Sequence, residues 1–141
     1  MQKEARIKAL RSVPLLAGLS RRDLDLVDEL GRDNWFRAGY VIVKAGNQAR
    51  DFYLILQGQA RLSVPGKRPR ILGPGDYFGE MSVLDGGPRS ATIAAQTKVL
   101  ALRIDRRDFL ALLDAYGSIG RKILVEMTKR VRAAEGASGR H

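Results

Sequence analysis

The chain has 141 residues, of which 45% are hydrophobic and 28% are charged, as expected for one folded domain and not for a disordered tail. It has no cysteine, and its one histidine is residue 141, which excludes disulfides, thiolate chemistry, histidine-based metal sites and a Ser-His-Asp triad. No apolar run approaches the roughly 18 residues needed to cross a bilayer, and the N-terminus lacks a signal-peptide stretch. We therefore expect a cytoplasmic protein with no membrane partner.

The charge is strongly basic, with 25 Lys and Arg residues against 15 Asp and Glu residues and a net charge of +10. Such an excess favours an anionic partner: nucleic acid, an acidic membrane surface or a phosphate-bearing small molecule. The cations are spread from Lys3 to Arg140, so a generally basic surface is an equal alternative.

Residues 1–31 have the pattern of N-terminal helices. After a break at Pro14, Ser20 and Asp23 have the spacing of a capping box, and Gly31 is a plausible end for the helix that follows. The apolar positions of the two predicted helices are Ile7, Leu10, Leu24, Val27 and Leu30.

Residues 33–104 have a different pattern, in which short β-rich runs alternate with glycines. Nine of the 15 glycines fall between Gly39 and Gly87, and tight turns are predicted at 65–68 and 73–76. Short strands at this spacing indicate a sandwich or a closed barrel. The runs are 35–36, 41–43, 52–56, 60–64, 92–95 and 99–104.

From Asp105 the helical pattern returns. Asp105 can cap a helix through Asp108, and Gly117 and Ser118 separate this helix from a second one. The second helix has apolar residues at every fourth position, and we expect the chain to fray over 136–141. The stripe consists of Ile119, Ile123, Met127 and Val131.

The segment 78–92 does not fit the surrounding strand pattern. A glycine leads into one helical turn at 80–84, whose first N–H groups form an anion site, and Arg89 can add a planar fork for a phosphate. Glu80 suits neutral hydroxyls such as a ribose 2′-OH, and Gly79 allows the backbone to approach a ligand closely. A phosphate site and a ribose site so close together indicate that the ligand is a compact nucleotide.

Residues Phe78 to Thr92 closely resemble the phosphate-binding cassette of the cyclic-nucleotide-binding domain family, which includes catabolite activators, protein kinase A regulatory subunits and cyclic-nucleotide-gated channels. The resemblance extends over roughly 14–135. It implies a mainly β fold with flanking helices: an eight-stranded jelly-roll β-barrel, N-terminal helices, two C-terminal helices and a short phosphate-binding helix inserted in the barrel.

The resemblance also implies roles for individual residues. Glu80 would bind the ribose 2′-OH with the Gly79 backbone, and Arg89 would pair with the cyclic phosphate, assisted by backbone N–H groups of Ser82 and Ser90. The implied ligand-binding set is Gly79, Glu80, Met81, Ser82, Arg89, Ser90 and Ala91.

The contacts to the base are left open. Ile71 and Leu72 would either touch the sugar or base or belong to the core, and Arg130 or Arg132 would either cover the base or be solvated. A serine at position 90 fits both cAMP and cGMP. We expect cAMP, with cGMP as the alternative, and neither a metal nor another cofactor.

The sequence thus predicts a single regulatory domain over 1–135, in which ligand binding rearranges the C-terminal helices. These helices would contact an effector domain or protein partner, and a homodimer is left open. One alternative is a DNA-binding fragment of a transcription regulator, and another is a degenerate interaction domain in which Glu80 and Arg89 pair without ligand. No nucleophile and base pair is evident, so we do not expect an enzyme.

Overall fold

The computed structural model describes residues 1–47, 51–79, 89 and 91–138, with the side chains of all of these except 130, 131 and 133–138. Within these ranges the chain forms four α-helices, one 3-10 helix and eight strands. The helices are α1 (Lys3–Arg11), η1 (Pro14–Leu16), α2 (Arg21–Leu30), α3 (Arg106–Ala115) and α4 (Gly117–Ser138). The strands are β1 (Arg32–Phe36), β2 (Val41–Val43), β3 (Phe52–Gln57), β4 (Ala60–Ser63), β5 (Arg70–Leu72), β6 (Tyr77–Phe78), β7 (Thr92–Ala95) and β8 (Val99–Ile104).

The strands form two four-stranded antiparallel sheets. The strand order is β1-β8-β3-β6 in one sheet and β2-β7-β4-β5 in the other, so most neighbours are distant in sequence. This is the mainly β architecture with flanking helices that the sequence predicted, in its jelly-roll form. The predicted helical turn at 80–84 lies outside the described residues.

The sheet that contains β3 and β8 is buried on both faces. Phe52, Leu54 and Leu56 point towards the helices, whereas Tyr53 and Ile55 point into the core between the two sheets. Because neighbouring residues of a strand face opposite ways, burial of both faces requires an unbroken apolar run. This explains why β3 reads as continuously hydrophobic in the sequence.

The predicted helix boundaries are confirmed at three places. Ser20 and Asp23 form a capping box, and the Asp105 carboxylate accepts a 2.8 Å bond from the Asp108 N–H. Helix α2 ends before Gly31, although for a different reason than a left-handed cap: Gly31 has φ −93°, and a Cβ there would overlap the Leu102 side chain. The glycine is needed for close packing of α2 against β8.

Helix α4 runs to Ser138, past the Gly136 at which fraying was predicted. One glycine destabilises a helix by about 1 kcal/mol but does not have to end it. The predicted apolar stripe is confirmed where side chains are described, since Ile119 and Ile123 are buried and Met127 packs on the same core.

The C-terminal helices are tied to the N-terminal ones by polar contacts. The Tyr116 hydroxyl donates a 2.8 Å hydrogen bond to the Asp23 carboxylate, and the Lys122 ammonium donates a 2.6 Å bond to the Ala17 carbonyl. The bond from Tyr116, aided by Ser20, holds the pKa of Asp23 below its ordinary value of 3.8. The junction of α3 and α4 is therefore anchored at the start of α2.

This contact predicts a pH-dependent effect of Tyr116→Phe. A depressed carboxylate pKa stabilises the fold above the unfolded value of 3.8, and the contribution is lost as the pH falls through the folded value. The variant should therefore be less stable than the parent at pH 7, and the difference should narrow below pH 3.8. Urea denaturation of both proteins between pH 7 and pH 3 measures this.

Tyr40→Phe is the control, because Tyr40 is 47% exposed and stacks on Phe36. Its stability difference from the parent should not vary with pH. A Tyr116→Phe difference that is equally constant would contradict the role given to Asp23.

Candidate functional site

Arg89 is one of two charged residues that are buried in the described part of the chain, the other being Asp28. Only 5% of Arg89 is exposed. Its backbone is held on both sides, since its N–H donates to Asn47 (2.9 Å) and its carbonyl accepts from Gly46 (2.8 Å). The guanidinium Nη2 donates a 2.5 Å hydrogen bond to the Asp51 carbonyl. Main-chain contacts therefore fix where this permanent charge lies.

Gly79 lies directly against the Arg89 side chain. Tyr53 pairs with Phe78 in the ladder of β3 and β6, which brings Gly79 beside the beginning of β3. Gly79 has φ +94°, and a Cβ built there would lie 2.5 Å from Nη1 of Arg89 and would also overlap the Asp51 carbonyl. Position 79 therefore requires glycine, both for its backbone conformation and for the space that the guanidinium occupies.

A second arginine approaches the same part of β3. Nη1 of Arg103 lies 3.6 Å from Oδ2 of Asp51, and both side chains are partly exposed. Burial raises the pKa of the Tyr53 phenol and the Asp51 carboxylate raises it further, whereas Arg103 and Arg89 act in the opposite direction. The beginning of β3 is thus a point where one carboxylate and two cations influence the same phenol.

The predicted contact residues of β5 lie on opposite faces of their strand. Leu72 is 1% exposed and belongs to the core between the sheets, whereas Ile71 is 46% exposed on the outer face. Ala91 follows Arg89 closely in sequence and is half-buried, and Arg132 is exposed on α4. The structure therefore groups Gly79 with Arg89 and separates Ile71 from Leu72.

The rest of the predicted site lies outside the described residues. This applies to Glu80, Met81, Ser82 and Ser90, and to the side chain of Arg130. Their roles stay predictions.

Asp51 and Arg103 were not predicted from the sequence as site residues. Asp51 contacts Arg89 through its backbone carbonyl, which no side-chain motif reveals. Its carboxylate reaches Arg103 only because β3 and β8 are neighbours, a pairing of residues about fifty positions apart. One sequence signal could have drawn attention to Asp51, namely that it is a charged residue immediately before the apolar run of β3.

The sequence matches the family model described as "Cyclic nucleotide-binding domain" over residues 33–116, which is more than half of the chain. The chain belongs to this family. The matched range contains β1 from its second residue, β2 to β8 and α3, together with the whole segment 78–92.

Named relatives agree with this assignment. The chain is 31% identical to the "Cyclic AMP receptor protein" of Thermus thermophilus over 131 residues, covering 89% of this chain and 61% of the relative. It is 35% identical to the "cAMP-dependent protein kinase regulatory subunit" of Eremothecium gossypii over 105 residues, covering 74% of this chain and 23% of the relative. The chain thus spans less than two thirds of either relative.

A solved structure gives the same result for the fold. The regulatory domain of Toxoplasma gondii PKA, crystallised with cAMP, superposes with a TM-score of 0.77 at 26% identity, covering 87% of this chain and 48% of that one. Within the described ranges, no helix is long and apolar enough to cross a membrane. The same residues contain no group of three or more His, Cys, Asp or Glu side chains placed to hold a metal ion.

The position of Gly79 predicts the effect of Gly79→Ala. The substitution places a non-glycine residue at φ +94° and forces the new Cβ against the guanidinium and the Asp51 carbonyl. Gly66→Ala is a matched control, because Gly66 has φ +76° and nothing within 4 Å of its Cβ position.

Both variants should lose about 1–2 kcal/mol from the left-handed backbone conformation. Gly79→Ala should lose more, because the Arg89 guanidinium and the Asp51 carbonyl must also move. Urea denaturation midpoints of the two variants and the parent measure the difference. Equal losses would show that Arg89 does not occupy the space beside Gly79.

Proposed function

We propose that this chain is a cAMP-binding regulatory domain in which Arg89 pairs with the cyclic phosphate. The observation that supports this most directly is the buried guanidinium of Arg89, held against Gly79 at the start of the cassette sequence. A fixed, partly desolvated guanidinium is well suited to a single phosphate charge, since little reorganisation is needed on binding.

The other roles follow the cassette sequence. Glu80 accepts hydrogen bonds from the ribose 2′-OH, and the backbone N–H groups of Ser82 and Ser90 assist Arg89 at the phosphate. Gly79, at φ +94°, lets the main chain approach the sugar. Met81 and Ala91 complete the wall of the site.

The choice of cAMP rests on two relatives that are named for it, the cyclic AMP receptor protein of Thermus thermophilus and the cAMP-dependent protein kinase regulatory subunit of Eremothecium gossypii. Leu72 faces the core between the sheets, where an apolar side chain suits a sugar or base, and Arg130 or Arg132 covers the base from α4. cGMP is the alternative, because Ser90 fits either base. Titration with each nucleotide separates them.

Regulation in this proposal means that ligand changes the packing of α3 and α4. A ligand shifts such an equilibrium only by its difference in affinity for the two arrangements. Two hydrogen bonds, from Tyr116 to Asp23 and from Lys122 to Ala17, tie these helices to the N-terminal segment. A rearrangement of the helices acts on both bonds. We take residues 1–135 as one cytoplasmic, non-catalytic domain whose C-terminal helices pass the signal to an effector.

DNA binding is the weaker candidate. In a helix-turn-helix interpretation α4 enters the groove, but Ile119 and Ile123 are each only 2% exposed and are committed to the core. Duplex binding with a steep salt dependence would favour the DNA-binding interpretation instead. Conversion of cAMP to AMP during incubation would contradict the non-catalytic assignment.

Arg89→Ala should weaken cAMP binding by about 2–4 kcal/mol, the scale for removing a charged partner from a partly buried ion. Arg89→Lys should recover only part of this loss, because an ammonium lacks the planar fork. Isothermal calorimetry with cAMP, cGMP and AMP measures the affinities. Arg107→Ala, on the exposed surface of α3, is the control for lost charge and should bind like the parent.

If Arg89→Ala folds and titrates like the parent, the phosphate does not bind at Arg89. Hydrogen exchange of α4 with and without cAMP then tests the regulatory part separately, since unchanged exchange alongside normal binding would contradict only the helix rearrangement.

Glu80→Gln should reduce the preference for cAMP over 2′-deoxy-cAMP, because a neutral amide is a weaker acceptor for the 2′-OH than a carboxylate. Competition titrations with both nucleotides measure the ratio of affinities. A ratio that is unchanged from the parent would place Glu80 away from the ribose.

A further inference from the structure

A groove of about 630 Å³ runs along the outer side of the barrel, where β5 and β6 meet the helices. One wall is formed by η1 and the segment 70–77, and the other by residues 121–129 of α4. Its size is within the range of about 300–1,000 Å³ that is usual for small-molecule sites.

The groove has apolar walls that are open to solvent. Ile71 projects from β5 and Val125 from α4, and their exposed fractions are 46% and 48%. Pro14, Leu15 and Leu72 complete the apolar lining. A ligand that covered Ile71 and Val125 would remove apolar surface from water, which favours an apolar body.

The rim of the groove is cationic. Arg121, Val125 and Lys129 follow one another at four-residue spacing and therefore share one face of α4. Lys122 lies beside them, and Arg70 adds a cation from the opposite wall. The carboxylates in the lining are those of Asp76 and Glu126, so positive charge prevails.

These charges are available to a ligand. In the part of the chain that the structure describes, none of the four cations and two carboxylates of the groove forms an ion pair within 4.0 Å. Lys122 instead donates to the Ala17 carbonyl, which leaves Arg70, Arg121 and Lys129 as the cations best placed to meet an anion.

The groove is distinct from the described part of the proposed nucleotide site. Among the described lining residues, neither Gly79, Arg89 nor Ala91 is present. Leu72 borders both regions, but its side chain is 1% exposed and belongs to the core between the sheets. The guanidinium of Arg89 is buried against Asp51 and does not reach the groove wall.

We propose that this groove binds a small amphipathic anion, that is, a carboxylate or sulfonate carried on an apolar body. The apolar body covers Ile71 and Val125, and the anionic group pairs with cations of the rim. Charge complementarity favours an anion over a neutral or cationic ligand, and the volume favours a small molecule over a folded partner. This proposal does not depend on cyclic-nucleotide binding.

The test uses the whole chain and two probes, the fluorescent sulfonate 1-anilinonaphthalene-8-sulfonate and the carboxylate decanoate. We expect saturable fluorescence with one probe per chain, and displacement by decanoate but not by decanol at equal concentration. Fluorescence that does not saturate, or that decanoate fails to displace, would overturn the proposal.

Two matched pairs of variants locate the probe. Val125→Glu should weaken probe binding at least tenfold, whereas Leu124→Glu, at a residue that is 64% exposed and outside the described lining, should leave binding unchanged. The double variant Arg121→Gln/Lys129→Gln should also weaken binding and reduce its salt dependence. Arg107→Gln, at an exposed residue of α3 outside the described lining, is its control.

Arg89→Gln separates this proposal from the nucleotide site. It should retain probe binding while cAMP binding falls. Because this fluorophore also reports loosened cores, urea midpoints are measured for every variant, and Val125→Glu should match the parent. Equal effects of Val125→Glu and Leu124→Glu, or loss of probe binding in a stable Arg89→Gln, would show that the probe binds elsewhere.

Discussion

The guanidinium of Arg89, which carries a permanent charge, is almost completely buried. Burial of an unpaired charge costs several kcal/mol, so the surrounding chain has to supply hydrogen bonds and a shape that admits the side chain. The Asp51 carbonyl supplies one such bond, and the missing side chain of Gly79 supplies the space. The turn at 46–47 fixes the backbone of Arg89. The site therefore depends on main-chain geometry as much as on side chains.

Most of the fold follows from the sequence because its signals are local. Alternating apolar runs and regularly spaced glycines identified six of the strands, and the polar residues Ser20 and Asp105 marked helix starts. Strands β5 and β6 were not identified in this way, since runs of three and two residues between turns are too short for a periodic pattern. The family resemblance, carried by residues 78–92, supplied the jelly-roll form, which periodicity left as a sandwich or a barrel.

The candidate site was predictable in part for the same reason. Arg89 and Gly79 are conspicuous in the cassette sequence, and the structure brings them into contact. Asp51 and Arg103 were not predictable, because one acts through a carbonyl and the other through a distant strand pairing. Ile71 and Leu72 have opposite exposures because neighbouring residues of a strand face opposite ways. The sequence alone does not say which of the two is buried, since both are apolar.

Strand β3 lies between the candidate site and the C-terminal helices, because its successive residues face opposite sides of the sheet. Asp51 holds Arg89 just before the strand, and the next residue, Phe52, points to the other side of the sheet. There Phe52 stacks on Phe109 of α3, with ring centroids 4.0 Å apart. A close-packed aromatic pair transmits small displacements instead of absorbing them. In the proposed regulation, a shift of Arg89 that moves the Asp51 carbonyl would reach, one residue later, the surface against which α3 is packed.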